Sequence, residues 1–232
     1  MIKLRSATEY FSKTELVLWI SSVVLITVSF LVFDRESYLT LIASLIGVTS
    51  LIFGAKGNPV SPALMIVFSI LYGVISYGFA YYGEMITYLG MTLPMSAFAL
   101  VSWLANPYKG GKAEVKVGSL GKAETVFMWI LTAAVTAAFY FILDAFGTAN
   151  IAPSTFSVTT SFLAAYLTFR RSPYFALAYA VNDIVLIVLW TLAAFENVRY
   201  ISVTVCFAAF LANDIYGFMS WRRMKKRQSI GD

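Results

Sequence analysis

A chain of 232 residues that is 59% hydrophobic, 16% aromatic and only 12% charged is too apolar for an ordinary soluble domain, and its mean hydropathy of +0.77 points to an integral membrane protein. A single cysteine, Cys206, excludes an internal disulfide and a thiolate-held metal cluster, and the absence of histidine removes the commonest metal ligand and general base. The net charge of +5 is explained by basic loops beside an anionic leaflet rather than by nucleic-acid binding.

Eight apolar stretches are long enough, or nearly so, to cross about 30 Å of hydrocarbon as helices. In chain order they are 15–33, 38–55, 60–82, 84–104, 125–146, 153–170, 172–195 and 198–222. The first follows a basic start, as a signal peptide would, but it is long and no small-residue cleavage pattern follows it, so it reads as a retained helix. The long polar interruption, 105–124, is rich in Gly and Lys. With the N-terminus cytoplasmic and an even number of spans, fifteen of the 17 Lys and Arg residues fall inside; Arg35 and Arg199 fall outside. Both termini are therefore expected in the cytoplasm.

A weak internal repeat runs through the chain. A shift of 114 residues lays Lys56-Gly57-Asn58-Pro59 over Arg170-Arg171-Ser172-Pro173, and a shift of 118 lays "ALVSW", ending at Trp103, over "GFMSW", ending at Trp221. Three spans, one linker span and three spans make two parallel repeats about an axis along the membrane normal, a build that places substrate near mid-membrane between the repeats. The expected division is an N-terminal segment with an extra helix (1–37), a first repeat (38–104), a cytoplasmic loop with the linker helix (105–152), a second repeat (153–222) and a basic cytoplasmic tail (223–232). Trp103 and Trp221, next to basic loops, are expected in an interfacial aromatic belt.

Asp183 and Asp214 are the acids best placed inside spans. A charged side chain there costs about 2.5–3.5 kcal/mol on insertion scales, so it must face protein or a wet cavity. Counted from the basic side, the two lie at depths differing by about 5 Å and could share one cavity. Each follows an asparagine, Asn182 and Asn213. Adjacent helical residues point roughly 100° apart, so one member of each pair faces the cavity and the other ties helices together. On the Asp183 stripe lie Tyr179 and Trp190, whose rings suit stacking on a ring-bearing, hydroxylated ligand as well as ordinary packing. Ser69, Tyr72, Tyr88, Thr159 and Thr160 are further substrate-binding candidates in the other spans, with helix packing as the competing role. Paired intramembrane aspartates also occur in aspartyl proteases, but the Tyr-Asp and Gly-x-Gly-Asp motifs are missing here. A retinal Schiff base would need a mid-helix lysine, and no predicted span holds one. An enzyme is not expected, and neither a metal nor a cofactor is implied.

These residues resemble the PnuC-type vitamin transporter family, typified by bacterial nicotinamide riboside uptake. The likeness covers about residues 38–222 and rests on "RRSPYFALAYAVNDIVLIVLW", on "ANDIYGFMSW" followed by basic residues, and on "IASLIGVTSLIFGAKGNP". It implies an all-α membrane fold of three-plus-one-plus-three helices like that of SWEET sugar transporters, preceded here by one extra helix, often trimeric and placed in the bacterial inner membrane. It also implies facilitated diffusion of nicotinamide riboside or a similar nucleoside, trapped by a cytoplasmic kinase. Asn182 and Asp214 match the family's polar sites. Two departures stand out: Asp214 replaces the family's usual Asn before Ile-Tyr-Gly, and Ser96 stands for Asn in the first repeat. Relatives of this fold import thiamine, riboflavin or deoxynucleosides, so these remain alternatives. Proton coupling through Asp183 or Asp214 and a non-transporting receptor remain open as well.

Overall fold

The computed structural model describes residues 10–78, 82–148 and 150–231; residues 1–9 of the expected N-terminal segment lie outside them. The order is α1 (Lys13–Phe33), α2 (Tyr38–Ala55), α3 (Val60–Gly78), α4 (Tyr82–Thr87), a π-turn (Tyr88–Thr92), α5 (Leu93–Ala105), a hairpin of β1 (Pro107–Tyr108) and β2 (Gly111–Val115), α6 (Lys122–Ala145), α7 (Ile151–Phe169), α8 (Phe175–Ala194), a 3-10 turn (Val198–Tyr200) and α9 (Ile201–Gly231). Because α4, the π-turn and α5 form one crossing, the described residues make eight long helical passages. Seven are long and apolar enough to cross a membrane by composition. The remaining one, α7, is diluted by Ser154, Thr155, Ser157, Thr159, Thr160 and Ser161, and it packs against α5, α6 and α8, where Thr159 bonds to Thr136 on α6 and Ser157, Thr160 and Ser161 bond to Asn182 on α8.

The repeats interlock. Helix α9, the last of the second repeat, packs on α2, the first of the first repeat; reciprocally, α5 packs on α7. The linker α6 rests on α7, and α1 lies against α2 and α9. The outer face of α6 exposes Phe127, Trp129, Ile130 and Phe141, apolar surface suited to lipid.

The ends of α2 and α7 explain the Ser-Trp self-match. A helix leaves its last carbonyls without partners. Trp103 Nε1 donates to Thr168 O (2.9 Å) and Ser102 Oγ to Phe169 O (2.8 Å), which caps α7. Trp221 Nε1 donates to Gly54 O (2.7 Å) and Ser220 Oγ to Ala55 O (2.7 Å), which caps α2. Each repeat thus caps the other, and the acceptors Gly54 and Thr168 are themselves 114 positions apart. The two indoles, 1% and 0% exposed, meet at 5.4 Å. The expectation of an interfacial belt is therefore corrected: the carbonyl ends offer the indole N–H groups a buried partner that lipid headgroups would otherwise supply.

Both α2 and α7 also close with a Schellman turn, in which Asn58 N–H reaches Phe53 O and Ser172 N–H reaches Leu167 O. The left-handed residue is Gly57 (φ 65°) in the first repeat and Arg171 (φ 54°) in the second. Arg171 is held by bonds from its Nη1 to Ser102 Oγ (3.1 Å) and Ser102 O (3.3 Å). The last helix runs well past Trp221. Gln228 donates to Val115 O (3.0 Å) and accepts from Val117 N–H (2.8 Å), pinning the hairpin over the basic end of the bundle.

Candidate functional site

A narrow cavity lies between the two repeats, and its walls are contributed pairwise. Leu51 matches Ala165, Gly54 Thr168, Ser61 Phe175 and Met65 Tyr179 at the 114-residue offset; Ser96 matches Asp214 and Ala99 matches Gly217 at the 118-residue offset. The cavity therefore sits on the pseudo-twofold axis. It is closed down to about 30 Å³, room for roughly two water-sized spheres, so any larger molecule enters only when helices part.

Above it, away from the basic loops, Asp183 (3% exposed) on α8 and Asp214 (4%) on α9 bring their carboxyl groups within hydrogen-bonding reach of each other. Asp183 Oδ2 is a buried oxygen without a hydrogen-bond partner among the described residues. Tyr179, one turn below Asp183, lies close to both acids. Above the pair stands an aromatic group. Tyr72 and Tyr88 have ring centroids 4.4 Å apart, Tyr72 meets Trp190 edge-on at 6.3 Å and 86°, and Phe68 meets Tyr88 at 5.8 Å. Tyr88 opens the π-turn, whose wider winding is closed by Leu93 N–H bonding to Tyr88 O. Such turns re-aim side chains and are frequent at functional sites.

The structure thus brings together Tyr72, Tyr88, Tyr179, Asp183, Trp190 and Asp214. It also answers which member of each Asn-Asp pair faces inward. Asn182 turns to α7, where its Oδ1 accepts from Thr160 Oγ1 (2.8 Å), Ser161 Oγ (3.0 Å) and Ser157 Oγ (3.5 Å). Asn213 turns to the extra helix, donating to Ser22 Oγ on α1 (2.9 Å) and to Ala209 O (2.8 Å). Thr160 is occupied with Asn182. Thr159 faces α6, sharing a hydrogen bond with Thr136 (2.9 Å), and Ser69 bonds back to Met65 O (2.8 Å) on its own helix. Asn213, Thr159 and Ser69 are consequently set apart from the cavity walls. The sequence reading left out Met65, Met95, Thr168 and Glu84. Met65 and Thr168 were findable as repeat mates of Tyr179 and Gly54. Glu84 lies two residues into α4, where an acid reads as a loop residue; the fold buries it to 6% exposure.

A nearly all-helical membrane bundle of two interlocked parallel repeats, enclosing a polar point on their shared axis, defines a transporter of small molecules rather than an enzyme. The chain belongs to the nicotinamide mononucleotide transporter family, whose model matches residues 37–223. It is similar to the nicotinamide riboside transporter PnuC of Neisseria mucosa, 28% identical over 203 residues covering 85% of this chain and 77% of the relative. The protein of the same name from Haemophilus influenzae is 23% identical over 215 residues, 91% of each chain. Among solved structures, the crystal structure of the vitamin B3 transporter PnuC superposes with a TM-score of 0.81 at 25% identity over 94% of both chains. The resemblance seen in the sequence motifs is borne out.

Proposed function

We propose that this transporter carries nicotinamide riboside, entering from the side opposite the basic loops and leaving at the cytoplasmic face. The observation that carries this reading is the Asp183–Asp214 carboxyl pair beneath the Tyr72, Tyr88 and Trp190 rings. Nicotinamide riboside joins a cationic pyridinium to a ribose. Aromatic faces attract the ring, and the carboxyl groups accept from ribose hydroxyls and complement its charge. The family description names the mononucleotide and the relatives' names the riboside. The chemistry favours the riboside, because a phosphate brought to this cavity meets Asp214 with no Lys or Arg among the described lining residues.

Transport is facilitated diffusion: the narrow cavity opens alternately to either side as the repeats rock, and phosphorylation by a cytoplasmic kinase retains the product. The chain resides in the bacterial inner membrane with both termini cytoplasmic, as a homotrimer. Uptake into proteoliposomes of nicotinamide riboside, the mononucleotide, thiamine, riboflavin and deoxynucleosides tests the assignment. Saturable riboside uptake that equilibrates without accumulating is expected; preference for any other compound in the set overturns the substrate.

A second reading has its own observation. Two carboxyl groups can hydrogen-bond only around a proton, and Asp183 and Asp214 are placed to share one, with Tyr179, Tyr88 and Cys206 as the nearest other titratable groups. Proton-coupled transport follows if that proton moves with the substrate. Riboside accumulation above equilibrium under an imposed pH gradient would establish coupling; a gradient without effect removes it.

A further inference from the structure

Glu84 has no assigned task. It sits at the end of the bundle away from the basic loops, only 6% exposed, and its Oε2 has no hydrogen-bond partner among the described residues. The ion pairs among the described residues join Glu15 to Lys56, Glu124 to Arg170, Glu36 to Arg199 and Glu114 to Arg227; none includes Glu84, Asp183 or Asp214. A buried acid without a counter-charge is costly. Acids inside membrane spans mark substrate and ion pathways, and a passing cation can supply the charge that Glu84 lacks.

The surroundings give it a direction. Glu84 lies close enough to both Tyr72 and Tyr88 to interact electrostatically, and Tyr88 in turn lies close to Asp183. Asp183 meets Asp214, and both neighbour Tyr179. Glu84, the tyrosine pair, the aspartate pair and Tyr179 therefore form a line from the outer end of the bundle to the closed cavity. The acids alternate with aromatic rings, both of which attract an organic cation. They do not converge as a metal site would, and no metal-holding group of His, Cys, Asp and Glu is found among the described residues.

We propose that Glu84 is the outer charge filter of this line, admitting a cationic N-glycosyl pyridinium and handing it past Tyr72 and Tyr88 to the aspartate pair. The proposal rests on the riboside reading and adds to it the property selected, which is the positive charge of the ring. The discriminating probe is the reduced dihydropyridine form of nicotinamide riboside, of nearly the same size and hydroxyl pattern but neutral.

The experiment compares proteoliposome uptake of the two compounds by the wild type, Glu84→Gln and Glu84→Asp, each variant checked for an unchanged melting profile. The wild type is expected to prefer the cation. Glu84→Gln should raise the KM for the cationic riboside about tenfold, leave that for the neutral form within about twofold, and so erase the preference; Glu84→Asp should restore most of it. Equal loss for both compounds in Glu84→Gln, or no loss for either, overturns the charge filter and leaves riboside transport standing. Wild-type protein that moves neither compound overturns the filter together with the riboside reading.

Discussion

The two repeats share a scaffold and divide the chemistry unequally. Their Ser-Trp pairs, Schellman turns and cavity walls match position by position, since these features satisfy backbone groups and fill volume, and both halves need that equally. At the axis they part. The first repeat offers Met65, Ser69 and Ser96 where the second has Tyr179, Asp183 and Asp214. The packing of their first two helices differs in the same sense. In the first repeat Gly47 lets the rings of Phe68 and Phe210 close in, and a Cβ there would meet Phe210 at 2.4 Å. The equivalent place in the second repeat is a hydrogen bond from Ser161 to Asn182. A duplicated frame thus leaves Asp183 and Asp214 to the second repeat, while the first places Ser69 and Ser96 at the matching positions.

The comparison can be broken at its symmetric points first. Trp103→Ala and Trp221→Ala each remove a buried indole and orphan a helix-end carbonyl, and each should cost about 3–5 kcal/mol. Equal falls in melting temperature in detergent are expected; a drop for one alone would mean that the clasp is not reciprocal. At the asymmetric points the halves should separate. Asp214→Ala should lower riboside uptake about 100-fold, roughly 2.7 kcal/mol, while its repeat mate Ser96→Ala should change it by no more than about threefold. The double variant Asp183→Ala/Asp214→Ala should be little worse than either single one, because the two acids act as a unit.

The turns test the same contrast more gently. Gly57→Ala places a Cβ in the left-handed region, 3.2 Å from Met224 Cε, and should cost about 1 kcal/mol or slightly more. Arg171→Gly relieves the same strain but loses the Ser102 bonds, so its melting temperature should stay close to wild type. Asn213→Ala should cost only about 0.6 kcal/mol from the lost tie to Ser22, with uptake nearly unchanged. A large uptake defect there would restore Asn213 to the binding site.

Much of the fold was legible in the residues. The crossings, the basic turns, the two Ser-Trp endings and the inward burial of Asp183 and Asp214 all follow from local composition and from what hydrocarbon tolerates. The helix Ile151–Phe169 was legible too, as the apolar stretch 153–170, although its hydroxyls dilute the apolar signal. Glu84 was not, since a carboxylate near a helix start looks solvated until the neighbouring helices close over it. The deep burial of Trp103 and Trp221 was hidden for a similar reason: their partners are carbonyl groups, which every residue possesses and no sequence pattern advertises.

By itself the sequence determined that the chain crosses the membrane about eight times in two like-oriented sets of three, because length, hydropathy and loop charge act on each segment separately. The tertiary structure alone decided how far each helix is rotated about its axis. That rotation turned Asp214 inward and Asn213 toward α1, and the π-turn aimed Tyr88 above the aspartates. It is set by the shapes and hydrogen bonds of neighbouring helices, and a period of 3.6 residues specifies the angle between side chains without specifying which of them meets the axis.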